Sequence, residues 1–143
     1  MSASKLDVVL RLTSEEEKQA ALTFQAVQND YLRAENDLRQ ALSYRIEYAN
    51  MSEGMRPGAF ALIQLRAARS FLTQIDNLIE HQRTILKSKY AMVESRREQW
   101  QVLRAKKRSI EALVASRSRS HLLAEEKKEQ KRLDDLFLST GGH

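Results

Sequence analysis

The 143 residues contain no cysteine, which removes disulfides, thiolate nucleophiles and Cys-ligated zinc from consideration. Helix breakers are scarce as well: one proline, Pro57, and four glycines, Gly54, Gly58, Gly141 and Gly142. A β-sandwich or barrel needs many more turn residues than that. Aromatics amount to 6%, and no stretch approaches the roughly 18 consecutive apolar residues of a membrane-spanning helix. The opening MSASKLDVVLRL lacks the n-region and small-residue cleavage site of a signal peptide. What is plentiful is charge, 30% of residues, beside an apolar fraction of 42% that a disordered chain would not usually reach. These features predict a soluble cytoplasmic protein made of long helices.

The net charge of +5 is unevenly spread. Residues 1–58 hold 7 Lys/Arg and 9 Asp/Glu, or −2, whereas residues 59–143 hold 17 and 10, or +7. A basic second half suits nucleic acid, a phosphate-rich surface or an acidic protein partner. Its bases alternate with acids, however, as they do on the solvated face of any long helix.

The breakers fall in two clusters, between Met51 and Gly58 and at the C-terminus. They divide a single coiled-coil domain, residues 1–143, into helix one over about 4–50, a turn at 51–57 and helix two over about 58–139. Helix one could start at Ser4, or at Ser14, where Ser14 and Glu17 offer a capping box. Leu6 and Leu10 upstream argue for the earlier start.

Periodicity is the strongest signal. Alternate steps of four and three from Leu6 pass through Leu10, Thr13, Glu17, Ala20, Phe24, Val27, Tyr31, Ala34, Leu38, Ala41, Arg45 and Tyr48. The same steps from Ala61 pass through Leu65, Ala68, Leu72, Ile75, Ile79, Gln82, Leu86, Lys89, Val93, Arg96, Trp100 and Leu103. Ten of thirteen positions are apolar in each series. A 3.5-residue repeat kept over six heptads is a coiled-coil seam. Two seams joined by a short turn make an all-α fold, an antiparallel two-helix coiled-coil hairpin with a longer second helix. Among the exceptions, Glu17 falls opposite Arg96 or Lys89, depending on which of two registers holds.

Helix two, at roughly 120 Å, outruns helix one, at roughly 70 Å. Its seam continues past Leu103 only through Ile110 and Val114 before meeting ASRSRSH. The remaining stretch has no partner in the hairpin and should be only partly helical when isolated. Yet it carries Leu122, Leu123, Leu133, Leu136 and Phe137, too apolar a set for a purely solvated tail.

No catalytic constellation is present. His81, His121 and His143 lie far apart, no phosphate-cradling glycine loop or HExxH occurs, and no serine sits on a strained turn. Carboxylate neighbours such as Glu125 and Glu126, or Asp134 and Asp135, face different directions on a helix. A two-helix hairpin also offers no dry concave pocket. The chain reads as a non-enzyme with no metal and no cofactor.

Two surfaces remain. Beside the second seam runs a stripe at seven-residue spacing, Phe71, Leu78, Ile85 and Met92, in flanking positions that coiled coils usually give to Glu and Lys. Tyr44 occupies the matching flank of helix one, beside the seam residue Tyr48. The stripe either widens the two-helix core or forms an exposed docking patch. The other surface is basic: Arg96, Arg97, Arg104, Lys106, Lys107 and Arg108, then Arg117 and Arg119. It lacks stacking aromatics apart from Trp100 and any nucleic-acid fold signature, so specific nucleic-acid recognition is not expected and an acidic protein surface suits it better.

Taken together, LRQALSYRIEYAN with Tyr44 and Tyr48, the stretch SFLTQIDNLIEHQRTIL, the tryptophan-centred REQWQVLRAKK and the closing LLAEEKKEQKRLDDLFLS resemble the FliJ family. That family is the small cytoplasmic component of the flagellar type III export apparatus, and the resemblance covers nearly the whole chain. It implies a stalk-like coiled coil that inserts into the hexameric export ATPase ring and promotes its assembly. It further implies contact with the cytoplasmic domain of the transmembrane export gate and escort of substrate chaperones, all at the flagellar base, peripheral to the inner membrane through protein contacts, in the service of motility and chemotaxis. The family's gate-facing patch maps onto Tyr44, Tyr48, Phe71 and Ile75, with Leu78 beside them. The residues assigned to the ATPase ring are Leu122, Leu123, Lys131, Leu133, Leu136 and Phe137. Asp37, Ala41, Leu78 and Gln82 depart from the family pattern, and His81 stands one residue early, about 100° around the helix. Two alternatives are the equivalent stalk of a virulence-type secretion system and a basic coiled-coil scaffold or nucleic-acid-binding protein.

Overall fold

The computed structural model describes residues 2–54 and 58–141, with the side chains of 2–4, 59–61 and 141 left aside. The seam position Ala61 and the turn residues 55–57 therefore lie outside the described residues. Two helices account for the rest, α1 over Ser2–Glu53 and α2 over Ala59–Gly141. The expected all-α antiparallel two-helix hairpin, with the longer second helix, is the fold observed.

Contacts group the chain into two compact units, one of Met1–Ala20 with Trp100–His143 and one of Ala21–Gln99. Each unit pairs a stretch of α1 with a stretch of α2. In the second unit, Asp30 meets Lys89, Arg45 meets Asp76 and Tyr48 meets Phe71, so numbers rise on one helix as they fall on the other. In the first unit, Glu17 meets Trp100 and Lys107, while Leu6 shares a groove with Val114.

Burial follows the 3.5-residue stepping. Every described seam position on α1 is buried or half-buried except Arg45, and every one on α2 from Leu65 through Val114 is likewise covered. The cores are thin. The buried apolar residues are Ala34, Ala41, Ala68, Ile75, Ile79 and Val93, and Ala41, Ile75 and Ile79 form a cluster backed by Leu38, Leu42 and Tyr48. Alanine at the seam shortens the distance between helix axes and lets the isoleucines opposite fill the space.

Of the two starts open to helix one, the earlier holds: α1 runs from Ser2 and packs Leu6 and Leu10 on the seam. One boundary needs correction. Residues 51–53, assigned to the turn, extend α1; Gly54 then ends it, its N–H donating to the Met51 carbonyl at 3.3 Å. The stretch after Val114 is helical throughout its described length although residues 115–140 are all exposed. Its composition explains this, since Leu, Ala, Glu, Lys, Gln and Arg are the strongest helix formers. Local pairs such as Arg132 with Glu129 at 2.8 Å add a little.

Candidate docking site

The unit of residues 21–99 holds an apolar groove of about 360 Å³ lined by Tyr44, Glu47, Tyr48, Met51, Phe71, Ile75 and Leu78. All five residues assigned to the gate-facing patch converge there. Tyr48 and Ile75 come from the seams, and Tyr44, Phe71 and Leu78 from the flanks facing each other across it. The Tyr48 and Phe71 rings tilt against one another with centroids 4.4 Å apart, a spacing at which aromatic pairs attract. This contact fixes the floor of the groove.

The flanking stripe is not absorbed into the core. Tyr44 is 63% exposed, and Phe71, Leu78 and Met92 all remain exposed, while Ile85 is half-buried. Among the described residues nothing packs over the exposed members, so their apolar surface faces water. Leu78 and the buried Ile79 show the division clearly: one residue apart, they point about 100° apart around α2.

Charged pairs border the seam of the same unit. Arg45 occupies a seam position yet is exposed, because its guanidinium swings out to donate to Asp76 at 2.5 Å. The hydrogen bond and the charge of Asp76 raise the Arg45 pKa above its ordinary value. Lys89 reaches Asp30 at 3.4 Å, and Arg97 pairs with Glu94 while lying 5.5 Å over the Phe24 ring. Arg96 donates to Gln99 at 2.9 Å, but its buried Nε has no partner.

In the other unit, Glu17 pairs differently from the expectation that set it against Arg96 or Lys89. Its carboxylate accepts from the Trp100 indole N–H at 3.0 Å and lies 3.8 Å from Lys107. The indole supplies a neutral donor at the seam, so the half-buried carboxylate needs no cation at that level. Arg104 sits 5.4 Å over the same indole, and Lys107 also reaches Glu111. Part of the basic surface is thus engaged locally rather than presented as a uniform strip. A second groove of about 420 Å³ lies where Leu6 and Asp7 meet Val114, Arg117, Ser118, His121 and Leu122.

The six residues assigned to the ATPase ring all lie on α2 in this unit, all exposed, with Phe137 at 75%. Leu122, Leu133, Leu136 and Phe137 fall within about 100° of one another around the helix, forming one apolar face. Lys131 lies on the opposite face. Leu123 stands at the edge of the apolar face, and Leu122 shares a groove with Leu6 and Asp7 of α1.

Met51 and Glu47 complete the apolar groove and were not anticipated. Met51 was legible, since it stands one heptad after Tyr44, but the region was assigned to the turn. Among the described residues no group of three His, Cys, Asp or Glu could hold a metal ion. None of their helices is long and apolar enough to cross a membrane.

The family model described as flagellar FliJ protein matches residues 1–140. The chain belongs to the FliJ family. No curated protein matches it. Membership makes it a flagellar export-associated protein, from a family of non-catalytic components of that apparatus. The groove at Tyr44 and the apolar face of the α2 tail are two exposed apolar surfaces among the described residues.

Proposed function

We propose that this chain is the stalk-like coiled coil of the flagellar export apparatus, joining the hexameric export ATPase to the cytoplasmic domain of the export gate and escorting substrate chaperones. It acts at the flagellar base, peripheral to the inner membrane through protein contacts. The observation that carries the reading is the exposed groove of Tyr44, Tyr48, Phe71, Ile75 and Leu78, an aromatic-centred apolar patch with nothing over it. Buried aromatic anchors of this kind dominate interface energetics. The tail of α2 supports the ATPase half: past Val114 it has an apolar face at Leu122, Leu133, Leu136 and Phe137 that no other part of the described unit covers. The family match favours the flagellar apparatus over its virulence-type counterpart.

Capture of the chain by the purified cytoplasmic domain of the export gate protein tests the groove. Tyr44→Ala should weaken capture by about 2 kcal/mol, the usual loss for one aromatic anchor. Its helicity and melting temperature should stay near wild type, because Tyr44 lies outside the seam. Undiminished capture by Tyr44→Ala and Phe71→Ala would remove the groove from the interface.

A further inference from the structure

The groove is asymmetric, and the asymmetry specifies its occupant. With the seams at heptad positions a and d, Phe71, Leu78, Ile85 and Met92 are successive g positions of α2, an apolar wall three heptads long. The g positions facing them on α1 change character along the same path. Tyr44 stands near the Phe71 end, Asp37 comes one heptad earlier and Asp30 one heptad before that. Glu47 stands on the rim beside Tyr44. Asp30 is engaged by Lys89 and Arg33. Asp37 and Glu47 are exposed, and neither is in an ion pair among the described residues. One wall is therefore apolar and the other carries two uncompensated carboxylates.

We infer that this groove receives an amphipathic helix of the partner, seated as a third strand of the coiled coil along Phe71 to Met92, with its apolar stripe on α2 and basic side chains against Asp37 and Glu47. The inference rests on the docking role proposed above and extends it to Ile85, Met92 and Asp37. The heptad spacing of the apolar wall matches helical recognition, in which anchors recur every turn or two, and an extended peptide would not keep that register. The carboxylates supply orientation and selectivity: a basic flank gains attraction there, and an acidic one meets repulsion. Tyr44 from one flank and Phe71 and Leu78 from the other line a single groove, so one helix can touch both walls.

The test uses the full chain and two synthetic three-heptad peptides with leucine at the seam positions, identical except for lysine or glutamate along one flank. Fluorescence anisotropy of the labelled peptides reads binding, and circular dichroism reads their gain of helix. The lysine peptide should bind at least about tenfold tighter than the glutamate peptide. Asp37→Lys should shrink or invert that preference without changing the chain's own melting. Met92→Gln should weaken the lysine peptide by about tenfold. Equal affinity for the two peptides, or a Met92→Gln variant that binds as wild type, would overturn the inference. If Tyr44→Ala still abolishes capture by the gate domain in that event, the docking role stands and only this extension falls.

Discussion

Truncating Ile79 and truncating Leu78 should have opposite signatures, although the two are neighbours in sequence. Ile79 is 4% exposed and belongs to the Ala41, Ile75 and Ile79 cluster, while Leu78 is 46% exposed on the flank. Ile79→Ala removes three buried carbons, worth about 2.4 kcal/mol at ~0.8 per methylene, before any cavity contribution. The gain in helix propensity on going to alanine returns about 0.4 kcal/mol, leaving a net loss of about 2 kcal/mol or slightly more. In a chain this long each kcal/mol moves the melting temperature by about 2–4 °C, so Ile79→Ala should melt about 4–8 °C lower. Leu78→Ala gives up a side chain that is half hydrated already, so its loss should stay near 1 kcal/mol or below. Thermal unfolding followed by circular dichroism at 222 nm compares them directly. Equal drops would mean that the flank is core, and the docking argument for Leu78 would collapse with it.

Further outcomes follow from the polar contacts and the tail. Glu17→Ala strands the Trp100 indole N–H in a half-buried seam and should cost about 1–3 kcal/mol, whereas Glu17→Gln keeps an acceptor and should cost less. Denaturant midpoints with Trp100 fluorescence separate the two, and an equal cost would show that the Lys107 ion pair matters more than the hydrogen bond. A double-mutant cycle on Arg45 and Asp76 should give a coupling below about 1 kcal/mol that shrinks with salt, because both side chains are about half exposed. Ending the chain after Ser116 should abolish stimulation of the export ATPase while sparing capture by the gate domain, whose groove lies in residues 21–99. Adding the ATPase to the full chain should slow hydrogen exchange in the amides beyond Ser116. Stimulation that survives the truncation would move the ring contact out of the tail.

The architecture was open to sequence reasoning because one repeated physical choice produces it. Seam burial needs only the alternation of three and four, and Leu6 through Tyr48 and Leu65 through Leu103 display that alternation with three polar positions in each series. The groove followed from the same count, since Phe71 and Leu78 occupy flanks where charge is normal. What periodicity does not encode is the partner of a polar seam residue. Glu17 was matched to cations by charge alone, yet the structure meets it with an indole donor, because hydrogen bonding in a half-buried site depends on side-chain reach as much as on sign. The helix end at Glu53 was missed for a related reason. The breakers Gly54, Pro57 and Gly58 mark where a helix cannot continue, but they do not say how far it runs toward them.

The pairing of Tyr48 with Phe71 and of Glu17 with Trp100 constrains how relatives of this chain can differ in length. A single inserted residue in α2 between Phe71 and Trp100 would rotate everything on one side of it by about 100°, carrying stripe residues into the seam and seam residues into water. Insertions and deletions inside the paired stretch should therefore occur in whole heptads, or as a three and a four close together, and should appear in both helices at matching levels. Toward the end of α2 the constraint lapses, since residues 123–140 are exposed throughout. Length polymorphism in the family is then expected to be quantised across the paired region and free in the tail, so that the reach of the tail can drift while the groove stays in register.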